Sequence, residues 1–145
     1  MDQLLSGDET STTCRVSSVL NRDRKEYGAH HMFDGSEISC WNSAEGSPQQ
    51  VWLEFHRTVH LRRVQVMFQG GFVGEDVQFL VTTTEEQTFH ALPLSVHFDD
   101  GNALQSVDVA CDNVTQLRLH FGRSSDFYGR VTIYQLLVWG EETNA

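Results

Sequence analysis

Hydrophobic side chains recur at every second position along much of this chain, and that period constrains its fold more than any other feature. In RRVQVMFQ, Val64, Val66 and Phe68 share one face, whereas Gln65 and Met67 lie on the other. The same alternation recurs at Val77, Phe79 and Val81 and at Leu117, Leu119 and Phe121. Successive side chains of a β-strand point to opposite faces, so this pattern predicts strands with one buried face.

Turn signals separate these runs and set the predicted architecture. They include Gly70-Gly71, DDGN and GRSSDFYG. Seven or eight short strands at this spacing predict an all-β fold, an antiparallel jelly-roll sandwich. The RTV segment between His56 and His60 is read as an inter-strand turn with solvated histidines. Only residues 17–33 are expected to hold a helical turn.

Length and composition predict a single domain without a membrane span. The chain has 145 residues, a size that one core can serve. We expect residues 1–13 to form a loose arm, residues 14–142 to form the domain and residues 143–145 to be a tail. No apolar run reaches the roughly 18–20 residues of a membrane helix, and no apolar stretch follows Met1. We therefore expect a protein that is not secreted.

Charge restricts the classes of partner. The net charge is −10, and from Val73 onward only three arginines face eleven acidic residues. Such an acidic protein is not expected to bind nucleic acid or an anionic membrane directly. A basic protein partner fits this charge.

The sequence contains no recognisable catalytic constellation. HExxH, GxSxG and GxxxxGK patterns are missing from it, and the seven histidines are scattered. Three widely spaced cysteines include no CxxC pair, so they are expected to be free thiols in a reducing compartment. We therefore expect a protein that is not an enzyme and requires no cofactor.

The segment FDGSEISCWNS, residues 33–43, carries the densest set of polar groups. A folded loop could aim the Asp34 carboxylate and the Ser39 hydroxyl at one point, and such hard oxygens suit calcium. The alternative is a turn in which Asp34 bonds its own backbone and Trp41 fills the core. Spacing favours the alternative.

Two predicted connections, GGFVGED and SSDFYGR, combine glycine with aromatic residues. They carry Phe72, Phe127, Tyr128 and Arg130 as candidate partner or ligand residues. Exposed aromatic rings at loop tips would offer flat apolar surface to a sugar or a protein. The other interpretation is that these rings plug the ends of the sandwich.

Several motifs together resemble a known superfamily. The opening VSSVLNRDRKEYGAHHMFDGSEISCWNS, followed by VWLEF, is similar to discoidin-like domains, also called galactose-binding-like domains. With QVMFQGGF and DFYGRVTIYQLLVWGE, the chain resembles a family of small proteins associated with a testicular orphan nuclear receptor. The resemblance spans residues 14–142 and is weakest over residues 73–112.

The resemblance implies a nuclear, and also cytoplasmic, partner protein without catalytic residues. Its members are described as repressors that hinder an orphan nuclear receptor from binding its DNA response elements. The wider superfamily often holds a structural calcium, which implies Asp34, Ser39 and Glu141 as ligands here. Ser36 and Ser39 depart from the calcium-binding pattern. Carbohydrate or small-ligand binding, and a calcium-holding scaffold subunit, stay open as alternatives.

Overall fold

The computed structural model describes residues 2–7 and 10–143, and β-strands dominate them. The described residues contain eight strands, in chain order β1 (Gln3–Leu4), β2 (Thr13–Val16), β3 (Trp41–Asn42), β4 (Gln49–Phe68), β5 (Gly74–Thr83), β6 (His90–Ala91), β7 (Leu104–Ser124) and β8 (Thr132–Glu142). Helix α1 (Arg24–Tyr27) lies between two 3-10 turns, Leu20–Arg22 and Ala29–Met32. The helical turn expected within residues 17–33 is thus confirmed.

All strand pairs are antiparallel, and the main path runs β1-β8-β4-β7-β5-β6. The first half of β4 pairs with β2 and with the second half of β7. The second half of β4 pairs with β8 and with the first half of β7. The two long strands therefore belong to both layers, and the predicted antiparallel jelly-roll sandwich is confirmed.

The inter-strand turn predicted between His56 and His60 is wrong. Both residues lie within β4, and the β4–β7 register shifts between Glu54 and Val59. His56 adopts φ 57°, and Asn113 in β7 adopts φ 59°. Left-handed residues of this kind make bulges, which bend a strand without ending it. The RTV segment therefore marks a bend between the layers.

Alternating side chains from both layers fill one core. The described residues with the largest fully buried side chains include Trp41, Phe55, Phe68, Phe79 and Phe121. Phe68 packs edge-on against Phe98 at 5.0 Å and against Phe121 at 5.8 Å between ring centroids. The period of two in the sequence is thus the inward face of β4, β5 and β7.

Residues 3–5 of the predicted N-terminal arm are held against the domain. Gln3 and Leu4 of β1 pair with Gly140 and Trp139 of β8. Leu5 is fully buried, and its backbone nitrogen donates to the Val138 carbonyl at 2.8 Å. Residues 1, 8 and 9 of the predicted arm lie outside the described residues.

The predicted tail begins with an ordered residue. Thr143 donates from its backbone nitrogen to the Thr58 carbonyl at 3.1 Å. The remainder of the predicted tail, residues 144–145, lies outside the described residues. No helix in the described part of the chain has the length and apolarity to cross a membrane.

Candidate functional site

The connection between β7 and β8 forms a compact charged centre. Arg130 donates from Nε to Asp126 Oδ2 at 3.0 Å and from a terminal nitrogen to Asp126 Oδ1 at 3.3 Å. The Arg130 backbone nitrogen also donates to Asp126 Oδ2 at 3.1 Å. These donors hold the pKa of Asp126 below its usual value, and Asp126 in turn raises the pKa of Arg130. The loop is therefore closed by a bidentate ion pair.

Aromatic rings surround this ion pair. The Arg130 guanidinium lies 5.1 Å from the Phe72 ring centroid and 5.7 Å from that of Tyr128. Phe127 meets Tyr128 edge-on at 5.2 Å. Phe127 is 93% exposed and Tyr128 is 56% exposed. We call Phe72, Asp126, Phe127, Tyr128 and Arg130 the loop cluster.

A glycine at position 129 allows the β7–β8 connection to lie close against the loop that carries Gly46. Gly129 has φ 84°, and a Cβ there would lie 2.8 Å from the backbone carbon and oxygen of Gly46. Gly46 donates from its backbone nitrogen to the Tyr128 carbonyl at 2.7 Å. Only glycine tolerates both that φ and that contact without strain. The loop that carries Gly46 therefore holds the backbone of Tyr128 in place.

The structure thus brings together all four residues that the sequence nominated in these loops. Phe72 is half-buried, whereas Phe127 and Tyr128 are exposed and do not plug the sandwich. Together they present apolar ring faces beside a guanidinium and a carboxylate. Such a surface can contact a flat partner or ligand; that it does so stays a prediction.

The loop of residues 33–43 is organised around Asp34. Its Oδ1 accepts from the Ser36 backbone nitrogen at 2.9 Å, and its Oδ2 accepts from the Ser39 hydroxyl. His31 Nδ1 lies 3.4 Å from Oδ2. Partial burial acts to raise the pKa of Asp34, but these hydrogen bonds outweigh it and the pKa lies below its usual value. The loop is therefore an Asx turn closed by a side-chain hydrogen bond.

This arrangement does not favour the predicted calcium site. Both Asp34 oxygens already accept hydrogen bonds, and Glu141 lies opposite His60 in the β4–β8 ladder. Residues 2–7 and 10–143 contain no group of three or more histidine, cysteine or acidic side chains suited to a metal. Calcium needs six to eight oxygen ligands. Calcium at Asp34, Ser39 and Glu141 stays a prediction.

Trp41 fills the core below this loop, as the alternative interpretation expected. It is fully buried, and its indole Nε1 donates to the Ser18 carbonyl at 2.9 Å. Pairing of Trp41 with Ile133 fixes β3 against β8. The segment of residues 33–43 therefore has an architectural role first.

Gln49 is a structural centre that the sequence did not reveal. Its Oε1 accepts from the hydroxyls of Ser17 and Ser18, and its Nε2 donates to the carbonyls of Ala44 at 3.2 Å and Gly46 at 2.8 Å. Gln49 is 4% exposed, so these bonds satisfy a buried amide completely. It joins the segment after β2 to the loop that supports Tyr128. Only its place at the start of a hydrophobic strand hints at this role.

Residues 73–112 carry eight carboxylates and neither lysine nor arginine; we call them the acidic segment. Arg123 reaches Asp76 at 2.6 Å, Arg62 reaches Asp112 at 3.1 Å and His97 lies 3.4 Å from Asp99. The other acids of the segment are exposed and have no ion-pair partner among the described residues. They are Glu75, Glu85, Glu86, Asp100 and Asp108.

The thiols are poorly suited to nucleophilic chemistry. Cys14, Cys40 and Cys111 are all free. Burial raises the pKa of Cys14 to about 12. Burial also raises the pKa of Cys40 and Cys111, with nearby Glu26 and Asp112 adding to the effect. A protonated thiol is a weak nucleophile.

Comparison with known sequences finds close relatives over most of the chain. The chain is 41% identical to "Nuclear receptor 2C2-associated protein" of Danio rerio, over 91% of this chain and 93% of that protein. The proteins of that name from Mus musculus and Homo sapiens are 43% and 39% identical, each over 90% of this chain and over 92% and 93% of their own lengths. No family model matches the chain.

Comparison with solved structures identifies the fold. The F5/8 type C domain of a Bacteroides fragilis protein superposes with a TM-score of 0.78 at 16% identity, covering 97% of this chain and 98% of its own. A family 32 carbohydrate-binding module from C. perfringens, solved with galactose, gives 0.76 at 11% identity over 96% and 99%. At such identities the likeness shows the discoidin-like jelly-roll fold alone.

Proposed function

Because the chain belongs to the family of nuclear receptor 2C2-associated proteins, we propose that it is a non-enzymatic module that represses an orphan nuclear receptor. It contacts the basic DNA-binding region of the receptor and hinders the receptor from binding its DNA response elements. The acidic segment is the observation that carries this mechanism. DNA-binding regions present arginine and lysine side chains to phosphates, and the same side chains can pair with exposed carboxylates.

The number of free carboxylates supports this proposal. Arg123 and Arg130 are already paired, with Asp76 and Asp126. Arg118 lies 4.6 Å from the Phe89 ring centroid. The arginines after residue 73 thus leave most of the exposed acids of the acidic segment available to a basic partner.

A salt titration tests the electrostatic mechanism. The affinity of the chain for the receptor's DNA-binding region is measured at roughly 50 and 200 mM salt, a range over which charge contacts weaken strongly. We expect a clear loss of affinity at the higher salt and release of response-element DNA when the chain is added. Equal affinities at both salt concentrations would rule out masking by charge.

Paired variants separate local charge from net charge. Glu85→Gln with Asp108→Asn removes two exposed charges from the acidic segment. Asp2→Asn with Glu37→Gln removes two exposed charges elsewhere. The first pair is expected to weaken receptor binding and the second to leave it almost unchanged. Equal weakening by both pairs would mean that only net charge matters.

The loop cluster favours a second candidate function, binding of a carbohydrate or another small ligand. Phe127 is 93% exposed beside Arg130 and Asp126, which combine a stacking face with donors and acceptors. A glycan array is the direct test. Binding that Phe127→Ala abolishes would support this function, whereas an array without hits would remove it.

We propose that the chain works in the nucleus, with a cytoplasmic pool, since its proposed target binds DNA there. Fractionation of cells followed by detection of the chain tests this. Confinement to the cytoplasm would require the receptor to be captured before it enters the nucleus. A scaffold role would instead show as a stoichiometric partner unrelated to the receptor.

A further inference from the structure

A cleft of about 770 Å³ opens between β2 and the helical segment that follows it. Its walls include Arg15 and Val16 of β2, Arg22 and Arg24 of the helical segment, and His30. Clefts of this volume accommodate small ligands or short peptide segments. We call it the basic cleft.

The basic cleft lies in a positively charged segment of a chain whose net charge is −10. Residues 14–31 hold four of the ten basic residues, Arg15, Arg22, Arg24 and Lys25, and two of the twenty acids, Asp23 and Glu26. The segment therefore has a formal charge of +2, and the other 127 residues have six basic and eighteen acidic residues, a charge of −12. The local positive charge therefore favours binding of an anionic group at the basic cleft.

The arginine side chains of the basic cleft are available to bind a ligand. Arg22 and Arg24 are exposed and have no ion pair within the part of the chain that the structure describes. Arg15 lies 5.6 Å from the Trp52 ring centroid and forms no ion pair with an acid among residues 2–7 and 10–143. Asp23 accepts from the Glu26 backbone nitrogen at 3.1 Å as a helix cap. Glu26 itself lines a separate hollow with Tyr27 and Ile38.

The backbone that carries these arginines is held in an unusual conformation. Asn21 and Arg22 have φ 55° and 56°, values that non-glycine residues rarely adopt. Arg22 donates from its backbone nitrogen to the Val19 carbonyl at 3.0 Å. A Cβ on Gly28 would lie 2.3 Å from the Arg24 carbonyl oxygen, so the wall after α1 is tightly packed. The positive φ of these two successive residues turns the chain sharply between β2 and α1.

From this geometry we propose that the basic cleft binds a short acidic segment of a partner protein. Arginine guanidinium groups bind carboxylates through paired hydrogen bonds, and Val16, Val19, Ala29 and Ala44 line the cleft with apolar surface. A long polyanion such as nucleic acid would meet the repulsion of the remaining −12 charge. A short segment avoids it, because at physiological salt charges more than about 8 Å away are screened.

The test is binding of a fluorescent hexaglutamate peptide to the full chain at physiological salt. We expect saturable binding, and we expect Arg22→Asn with Arg24→Gln to weaken it about tenfold or more. Asparagine is used at position 22 because it tolerates the left-handed conformation. The control is Arg123→Gln, which removes an exposed arginine that is paired with Asp76 elsewhere. Circular dichroism and thermal melting confirm that the variants fold.

Three outcomes would overturn the proposal. They are no binding of hexaglutamate, equal binding by the double variant, and tighter binding of a single-stranded oligonucleotide or an anionic vesicle than of the peptide. A hexalysine peptide serves as the counterpart, because it should bind the acidic segment and be insensitive to the double variant. The failure of hexaglutamate binding would leave the proposed receptor mechanism untouched.

Discussion

At the scale of single residues, Asp34 shows how a sequence motif can serve structure first. Its two carboxylate oxygens accept from the Ser36 backbone and the Ser39 hydroxyl, which closes the loop of residues 33–43. The loop in turn leads to the buried Trp41. The sequence predicted both the turn and the buried tryptophan, because each follows from local residue chemistry.

We expect Asp34→Ala to lower the free energy of unfolding by about 1 kcal/mol, the usual net value of hydrogen bonds at such a turn. Urea denaturation measures this change. Thermal melts of the native chain and of the variant, with and without millimolar calcium, test the calcium prediction. If the loop binds calcium, the native chain will melt at a higher temperature with calcium and the variant will not. No shift in the native chain would remove calcium from the loop.

His120 gives the protein a dependence on pH. Burial lowers its pKa below the usual value of 6.5, and the neighbouring Arg118 lowers it further. The unfolded chain therefore binds this proton more readily than the folded chain. The contribution of neutral His120 to the free energy of unfolding is fully present above the usual pKa. It decreases as the pH falls from about 7 through the folded-state pKa. Asp76 lines the hollow next to His120 and is paired with Arg123.

His120→Gln should flatten the loss of stability between pH 7.5 and pH 5.5. Chemical denaturation at the two pH values gives the slope, and His97→Gln, at an 85% exposed side chain, is the matched control. A slope that His120→Gln leaves unchanged would show that other groups dominate. Asp34 and Asp126 act at lower pH, since their pKa values lie below 3.8 and their contributions are lost only as the pH falls through those values.

At the scale of elements, the strands were predictable and their lengths were not. Alternation located the cores of β4, β5 and β7, since a buried face must recur at every second residue. It could not show that β4 continues through His56, because a bulge and a turn use the same polar residues. The difference is decided by pairing with β7, on both sides of the register shift.

The candidate sites divide in the same way. Aromatic residues next to glycine nominated Phe72, Phe127, Tyr128 and Arg130, but did not show that their two loops meet across Arg130. The basic cleft has no motif, because its arginines come from a strand and from a segment of irregular backbone. Its only trace in the sequence is the concentration of basic residues between 15 and 25.

Gly140 allows β8 to lie against β4, and this contact yields a prediction. A Cβ at this position would lie 1.9 Å from the His60 carbonyl oxygen. Gly140→Ala should therefore lower the free energy of unfolding by about 1–3 kcal/mol or more, the range for added atoms in a packed site. Gly101→Ala is the control, since its Cβ would have no neighbour within 4 Å. Equal stabilities of the two variants would contradict the packing.

At the scale of the whole molecule, opposite charges occupy different regions of one sandwich. The acidic segment follows β5 to β7, and the basic cleft lies beside β2. A protein so divided can contact a basic surface and an acidic segment at the same time. The arrangement therefore suits a module that joins two partners of opposite charge.

The shared strands β4 and β7 also predict that both layers unfold together. Phe68→Ala removes a fully buried ring that packs against Phe98 and Phe121. We expect a loss of about 3–5 kcal/mol in the free energy of unfolding. Hydrogen exchange should accelerate by the same factor in the β2–β4 ladder and in the β4–β8 ladder. Acceleration confined to one ladder would show that the layers open separately.

The pairing of β1 with β8 has a practical consequence for how this domain can be tethered. Gln3 and Gly140 are directly opposed, whereas the loop cluster precedes the other end of β8, roughly 30 Å away at about 3.3 Å per residue. A linker joining the two ends, with new ends opened elsewhere, should therefore yield a circular permutant that folds. A tag or surface anchor fused beside β1 or after β8 would lie at the opposite end of β8 from the aromatic loops, which makes the domain convenient for display and immobilised binding assays.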